Sequence, residues 1–142
     1  MKKITMMAVL IASIAFSACA QKLDASKVPA KVRASMARQY PNVNAKWEME
    51  DGKYEANFKQ GGNVMSAMFE VGGTFTESEM DIKVTDLPAT VLAYVNEHYK
   101  GKSIKEAAKI TMANGTVNYE AEVDGRDVIF DANGKFLKDV KG

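Results

Sequence analysis

The chain contains one amphipathic pattern twice. Residues 28–40 (VPAKVRASMARQY) align without gaps with residues 87–99 (LPATVLAYVNEHY). Both segments place apolar residues at four-residue steps, on one stripe of a helix, and both open with a proline, whose missing N–H costs nothing in a first helical turn. Pro41 and Gly101 follow as suitable helix stops. The pattern predicts two amphipathic helices, each of which needs an apolar surface to cover.

Short runs with alternating apolar and polar residues follow each predicted helix. Period two with one polar face is typical of half-buried antiparallel strands. Paired turn residues such as Asp51-Gly52 and Asp124-Gly125 separate the runs and favour tight hairpins. The apolar positions after the first helix are Trp47, Met49, Tyr54, Ala56, Phe58, Met65, Ala67, Phe69 and Val71, then a less regular run at 75–82. Those after the second are Ala108, Ile110, Met112, Val117, Tyr119, Ala121, Val123, Val128 and Phe130, then a run at 136–140.

These elements predict an α+β fold built from two tandem α-β-β-β-β repeats, at residues 26–82 and 86–141. Neither helix can bury its stripe alone, so we expect the two meanders to join edge to edge. The result is one antiparallel sheet of about eight strands with both helices on one face. Trp47, Tyr54 and Tyr119 are expected on the helix side. The other face is expected to be open to solvent.

Residues 40–58 (YPNVNAKWEMEDGKYEANF) carry a family resemblance. A helix ending in Tyr-Pro, a Trp on the first strand, a Tyr-Glu-x-x-Phe strand after a tight turn, and the Phe-Glu-x-Gly-Gly-x-Phe hairpin at 69–75 resemble the PepSY-like, beta-lactamase-inhibitor-protein-like family. The resemblance implies small exported proteins with tandem helix-plus-meander repeats and no shared catalytic residues. The family's name reflects likeness to an inhibitor that grips a beta-lactamase with its concave sheet face.

The N-terminal residues have the pattern of an export signal. Lys2 and Lys3 precede an apolar stretch at 4–16 that is short for a membrane span. Two cleavage sites fit the small residues that follow. Cleavage before Gln21 gives a signal peptide at 1–20, whereas a lipobox interpretation gives a signal at 1–18 with Cys19 as the lipidated first residue. Either way, residues 21–142 are expected to form a single domain, in the periplasm or anchored to the outer membrane through Cys19.

Charge and cysteine usage exclude several functions. Without Lys2 and Lys3, the chain has 17 basic and 18 acidic residues, so its net charge is near −1. This charge argues against nucleic acid or an anionic membrane surface as a partner. We therefore expect membrane contact only through lipid at Cys19. No cysteine follows Cys19, so no disulfide can form within the mature fold, which must be stabilised by packing.

The residues that catalysis and metal binding require are scarce. His98 is the only histidine, and no cysteine after Cys19 and no second histidine is present to share a metal with it. No serine stands in a nucleophile setting, and the double-glycine stretches lack the spacing of phosphate loops. We therefore predict no enzyme activity, no cofactor and no metal site.

The polar face of the predicted sheet is the strongest functional candidate. A binding site is predicted there at Glu48, Glu50, Glu55, Asn57, Glu120 and Glu122. An acidic sheet suits a basic patch of an envelope protein or peptide, with inhibition of an enzyme as one such role. Weakly held calcium is less well supported, since no EF-hand spacing is present. The alternative function is a carrier or sensor of a small apolar ligand held between helices and sheet.

Overall fold

The computed structural model describes residues 21–141. They form one nine-stranded sheet in which every strand pairs antiparallel with its neighbours in the sequence. Two α-helices interrupt the series, and each follows a short 3₁₀ turn, Ala25–Lys27 or Val84–Asp86. The elements are β1 Gln21–Leu23, α1 Ala30–Gln39, β2 Lys46–Glu50, β3 Lys53–Gln60, β4 Asn63–Phe69, β5 Phe75–Ile82, α2 Ala89–His98, β6 Ile104–Met112, β7 Val117–Val123, β8 Arg126–Asp131 and β9 Phe136–Lys141. The order of elements confirms the predicted α+β fold and its repetition.

Both helices begin where the sequence predicts. Pro29 and Pro88 are the N-cap residues, and α1 and α2 start at the alanines that follow them. Tyr40 and Tyr99 cap the C-termini, and Gly101 then adopts a positive φ of 75° that lets the chain turn back toward the sheet. Among the described residues, no helix has the length and apolar character that a membrane crossing requires.

The sheet has one strand more than the eight expected. Gln21–Leu23 pairs with β2, with Gln21 opposite Met49 and Leu23 opposite Trp47. Three residues are too few to show alternation of apolar and polar side chains, so the sequence pattern gave no sign of this edge strand. The two repeats join through β5 and β6, where Glu77 lies opposite Met112 and Ile82 opposite Ala107.

Two apolar cores fill the space between helices and sheet, one in each repeat. Val32 of α1 packs with Trp47, Tyr54 and Phe69 of the first half of the sheet. Val91 of α2 belongs to the second core, against which Tyr119 packs. Trp47, Tyr54 and Tyr119 therefore lie on the helix side, as predicted.

The helices approach the sheet closely at one glycine in each repeat. Gly73 has a φ of 93°, and a Cβ there would lie 2.9 Å from the carbonyl oxygen of Lys31 in the first turn of α1. Gly134 has a φ of 79°, and a Cβ there would overlap Thr90 Oγ1 in the first turn of α2. Thr90 Oγ1 instead donates a hydrogen bond of 2.9 Å to the carbonyl of Asn133. Only glycine satisfies both the backbone angle and the space at these positions.

One predicted apolar row faces the wrong way. Ala108, Ile110 and Met112 were expected to face the helices with the other apolar positions. Ile110 pairs with Glu79 and Asn118, and Met112 pairs with Glu77, so their side chains lie on the opposite face. The irregular pairing of β6 with β7 between Ile104 and Glu106 shifts the alternation, and Ala107 is the residue that joins the second core.

Candidate functional site

The sheet face opposite the helices, here called the concave face, surrounds a cavity of about 530 Å³. Side chains from β1 to β8 line it, including Lys22 at one end of the sheet and Asp127 near the other. A flat sheet could not bring those strands around one space, so the sheet curls around this cavity. The helices cover the outer, convex face. The cavity residues are Lys22, Lys46, Glu48, Glu50, Glu55, Asn57, Val64, Met65, Ser66, Glu79, Asp81, Glu106, Ala107, Ala108, Glu120, Glu122 and Asp127.

The curl follows from the strand geometry. Antiparallel strands twist in one sense, and the twist accumulates across nine strands. Irregular pairings at Met68–Phe69 in β4, Ile104–Glu106 in β6 and Ile129–Phe130 in β8 increase it locally. The cavity is therefore formed by the whole sheet and depends on both repeats.

Negative charge dominates the lining of this cavity. Nine carboxyl groups point toward it, whereas only two cationic side chains, Lys22 and Lys46, do so. Alternation along the strands accounts for the grouping: on β3 and β7, for example, Glu55 and Glu120 each stand between two residues that pack in a helix-facing core. We call this space the acidic cavity.

Glu55 is the most deeply buried of these carboxyl groups. It lies in the middle of β3, opposite Glu48 of β2 and Met68 of β4, and only 1% of its surface is exposed. Neither Oε1 nor Oε2 accepts a hydrogen bond of good geometry from residues 21–141, although Glu50 and Ser66 lie close, where Glu50 favours the protonated form and Ser66 the ionised form. Burial, and then the charges of Glu50 and Glu48, raise the pKa of Glu55 to about 7.

Glu79 is the centre of the remaining buried carboxyl groups. It lies on β5, opposite Ser66 and Ile110, with 9% of its surface exposed. Burial raises its pKa well above the usual value, and the charges of Glu120, Glu77, Asp81 and Glu55 raise it further. The pKa values of Glu50, Glu77 and Asp81 are also raised, in each case first by burial. Several carboxyl groups of the concave face therefore resist ionisation, because burial and neighbouring carboxylates both disfavour their charged forms.

All six residues predicted as a binding site line this one cavity. Glu48, Glu50, Asn57 and Glu122 are partly exposed, whereas Glu55 and Glu120 are buried, with 1% and 7% of their surfaces exposed. The expectation of a face fully open to solvent is therefore wrong for Glu55 and Glu120. The expectation assumed a flat sheet, and the curl of the sheet removes these two positions from solvent.

The cavity also contains residues that the sequence argument missed. Glu79, Asp81, Glu106 and Asp127 supply further carboxyl groups, and Lys22 comes from the unexpected strand β1. A signal was available for β5, because Glu77, Glu79 and Asp81 alternate with Ser78 and Met80. This alternation was hard to recognise because the helix-facing positions of β5 are not uniformly apolar.

The remaining sequence candidates are placed away from this cavity. His98 is exposed at the end of α2, where its ring stacks on Tyr94 with centroids 3.9 Å apart. Trp47 is buried in the first core. Within residues 21–141, no three His, Asp or Glu side chains converge as metal ligands would. Cys19 and the predicted signal at 1–20 lie outside the described residues, so lipidation stays a prediction.

Comparison with known proteins gives the same fold repeatedly. A family model described as "Putative beta-lactamase-inhibitor-like, PepSY-like" matches residues 16–65 and again residues 52–138. No curated protein matches the chain.

Solved structures of low sequence identity share the architecture. One from Bacteroides eggerthii, described among "putative periplasmic proteins", has a TM-score of 0.70 at 15% identity, covering 79% of this chain and 87% of its own. A DUF2874 family protein from Bacteroides ovatus has a TM-score of 0.68 at 23% identity, covering 78% and 85%. A BLIP-like protein from Bacteroides fragilis has a TM-score of 0.64 at 22% identity, covering 79% and 86%.

Proposed function

Because this chain belongs to the PepSY-like, beta-lactamase-inhibitor-like family, we propose that it is a non-catalytic binding protein of the bacterial envelope. The concave face engages a protein or peptide partner that presents basic side chains. The predicted export signal at 1–20 and the description of the Bacteroides eggerthii protein as periplasmic support a location in the periplasm. Anchoring to the outer membrane through Cys19 is part of the same proposal.

The observation that carries the proposal is the lining of the acidic cavity, in which nine carboxyl groups meet two lysines. Grouping like charges on one curled surface destabilises the isolated protein, since each ionised group disfavours its neighbours. A partner that supplies positive charge relieves this repulsion. Electrostatic complementarity of this kind also speeds association and excludes partners of the wrong charge.

The shape of the surface supports a partner larger than a metabolite. The lining extends across strands of both repeats, and its outer residues, such as Glu48 and Glu122, are partly exposed. A curled sheet can receive a protruding loop or an extended segment. The resemblance to beta-lactamase inhibitors adds inhibition of an enzyme as one form that such binding takes.

The packed interior gives no support to the alternative of an apolar ligand between helices and sheet. Val32, Val91, Phe69 and Phe130 are all completely buried there. Apolar side chains of the two cores occupy the space that such a ligand needs. The alternative stays a prediction that native mass spectrometry of the purified protein can test.

Charge reversal at the outer part of the cavity tests the proposal. Glu48→Lys with Glu122→Lys changes the cavity charge while sparing the buried residues, whose replacement would risk the fold. The matched control is Asp86→Lys with Glu97→Lys, which makes the same change in net charge at exposed positions beside and on α2. The wild-type protein is first cross-linked in the native envelope, and the captured partner is identified and then purified.

Binding to the purified partner is then measured for the two variants. We expect the cavity variant to lose at least tenfold in affinity, about 1.4 kcal/mol, and the control to bind as the wild type does. Equal affinity of the two variants would remove the concave face as the binding surface.

A further inference from the structure

The floor of the acidic cavity has the chemistry of a specific subsite. Glu55 is almost completely buried and faces the cavity, and neither carboxylate oxygen makes a hydrogen bond of good geometry to the described residues, although Glu50 and Ser66 lie close to it. An unsatisfied buried carboxyl group is costly, so native structures rarely retain one unless a ligand, an ion or a proton satisfies it.

We propose that this floor is a subsite for one alkylammonium group, which enters as the carboxyl group of Glu55 gives up its proton to water. The inference rests on the proposed function in that it takes the concave face as the binding surface. Beyond the proposed function, the inference specifies the chemical class of the bound group and the loss of one proton from Glu55 when that group binds. The ammonium group keeps its own protons throughout, so one positive charge enters the floor as another leaves.

The groups that face Glu55 favour this exchange. Burial and the charges of Glu50 and Glu48 on β2 raise the pKa of Glu55 to about 7, so about half of the empty protein carries this proton at neutral pH and most of it does at pH 6. A cation that enters the cavity reverses this balance, because ionised Glu55 then has a partner. The charged and titratable groups that line the cavity with it are Lys22 from β1, Lys46, Glu48 and Glu50 from β2, Glu79 and Asp81 from β5, Glu106 from β6, Glu120 and Glu122 from β7, and Asp127 from β8.

An alkylammonium group suits both the carboxyl groups and the apolar side chains that line this part of the cavity. The three N–H groups of an ammonium group can each donate a hydrogen bond. The carboxyl groups of Glu55 and Glu79 repel each other when both are ionised, and a compact positive charge between them relieves this repulsion. Val64, Met65 and Ala108 line the same cavity and provide apolar contact for a methylene chain. A lysine side chain of a partner and a free polyamine share this chemistry.

The test measures binding of two probes, a tetralysine peptide and spermidine, by calorimetry at pH 6 and pH 8. Any loss of a proton from the probes toward pH 8, as at the α-amino group of the peptide, lowers their affinity for an acidic cavity, so a rise in affinity reports on the protein. We expect affinity to rise about tenfold from pH 6 to pH 8, since a carboxyl group with a pKa of about 7 is mostly protonated at the lower pH. Near pH 7, calorimetry in two buffers of different ionisation enthalpy should show net proton release.

Two variants separate this subsite from general acidity of the cavity. Glu55→Gln should weaken binding and reduce its pH dependence, since the titrating group with a pKa of about 7 is lost. Glu122→Gln, at the outer part of the cavity, should weaken binding while leaving the pH dependence in place. Tetra-acetyllysine, which lacks the ammonium groups, should not bind.

Each outcome has a defined meaning. Binding of tetralysine alone assigns the subsite to a protein side chain, binding of spermidine alone assigns it to a free polyamine, and binding of both supports the shared chemistry. Absence of binding by either probe, or affinity that is the same at pH 6 and pH 8 and unaffected by Glu55→Gln, overturns the subsite. The concave face would then still be judged separately, by charge reversal at Glu48 and Glu122 with the purified partner.

Discussion

Glu55 and Glu120 occupy equivalent positions in the two repeats, within the Tyr-Glu-Ala sequences of β3 and β7, and both line the same acidic cavity. Each lies between two residues that pack on the helix side. Duplication of one unit therefore places two buried carboxyl groups on the inner surface of one curled sheet. The repetition that builds the fold also builds the charge of the candidate site.

Glu55→Gln should stabilise the protein above neutral pH. The folded-state pKa of about 7 lies above the usual value of 4.5, so stability is highest below the usual value and falls as the pH rises through 7. The amide of the glutamine cannot ionise, so the variant does not lose stability in this way as the pH rises. We expect a gain of about 1–3 kcal/mol in the free energy of unfolding at pH 8, and little change at pH 4.

Urea unfolding at both pH values measures this effect. Glu97→Gln, at an exposed position on α2, is the control and should leave the pH dependence of stability unchanged. Glu55→Gln that is destabilising at pH 8 would show that ionised Glu55 is satisfied in the folded protein.

Gly73 and Gly134 should be intolerant of even one added methyl group. Gly134→Ala forces the new Cβ into Thr90 at a positive φ, and we expect a loss of about 2–4 kcal/mol. Gly73→Ala meets the backbone of Lys31 and should cost about 1–3 kcal/mol.

The adjacent Gly72 provides a matched control for these glycines. A Cβ at Gly72 meets nothing within 4 Å, and its φ is not positive. Gly72→Ala should therefore change stability by less than about 0.5 kcal/mol. Thermal unfolding of the three variants compares them directly, and equal stability would contradict the close approach of helix and sheet.

The two repeats should unfold as one unit. Val32 and Val91 are completely buried in separate cores, and replacing either with alanine should cost about 2 kcal/mol. The β5–β6 pairing joins the cores through a continuous sheet, so we expect a single transition in each variant and additive losses in the double variant.

Calorimetry detects the number of transitions. Val71→Ala, at an exposed position, makes the same chemical change without a core cost and is the control. Two separate transitions in Val32→Ala or Val91→Ala would show that each repeat folds on its own.

The sequence was sufficient to predict elements that repeat or alternate clearly. The prolines at positions 29 and 88 located both helices, period two located β2, β3, β4, β6, β7 and β8, and less regular apolar runs located β5 and β9. It did not reveal β1, which is too short to show a period, or the irregular pairing near Glu106 that places Ile110 on the concave face. Such shifts depend on the pairing of strands and leave no mark in the composition of one strand.

The candidate site was predicted in part. Alternation was enough to group Glu48, Glu55 and Glu120 on one face, but their depth depends on how far nine strands curl. Curvature arises from twist accumulated over the whole sheet and from its irregular pairings. For that reason the raised pKa of Glu55 and the contribution of Glu79 could not be read from local sequence.

Site-specific photo-cross-linking in the native envelope tests the central claim most directly. A benzoylphenylalanine is placed at Asn57, which lines the acidic cavity, or at Ala93, which is exposed on α2 on the convex side. The account predicts that the same partner is cross-linked from position 57 and not from position 93. Cross-linking of that partner from position 93 alone would show that the convex face binds it and would contradict the account.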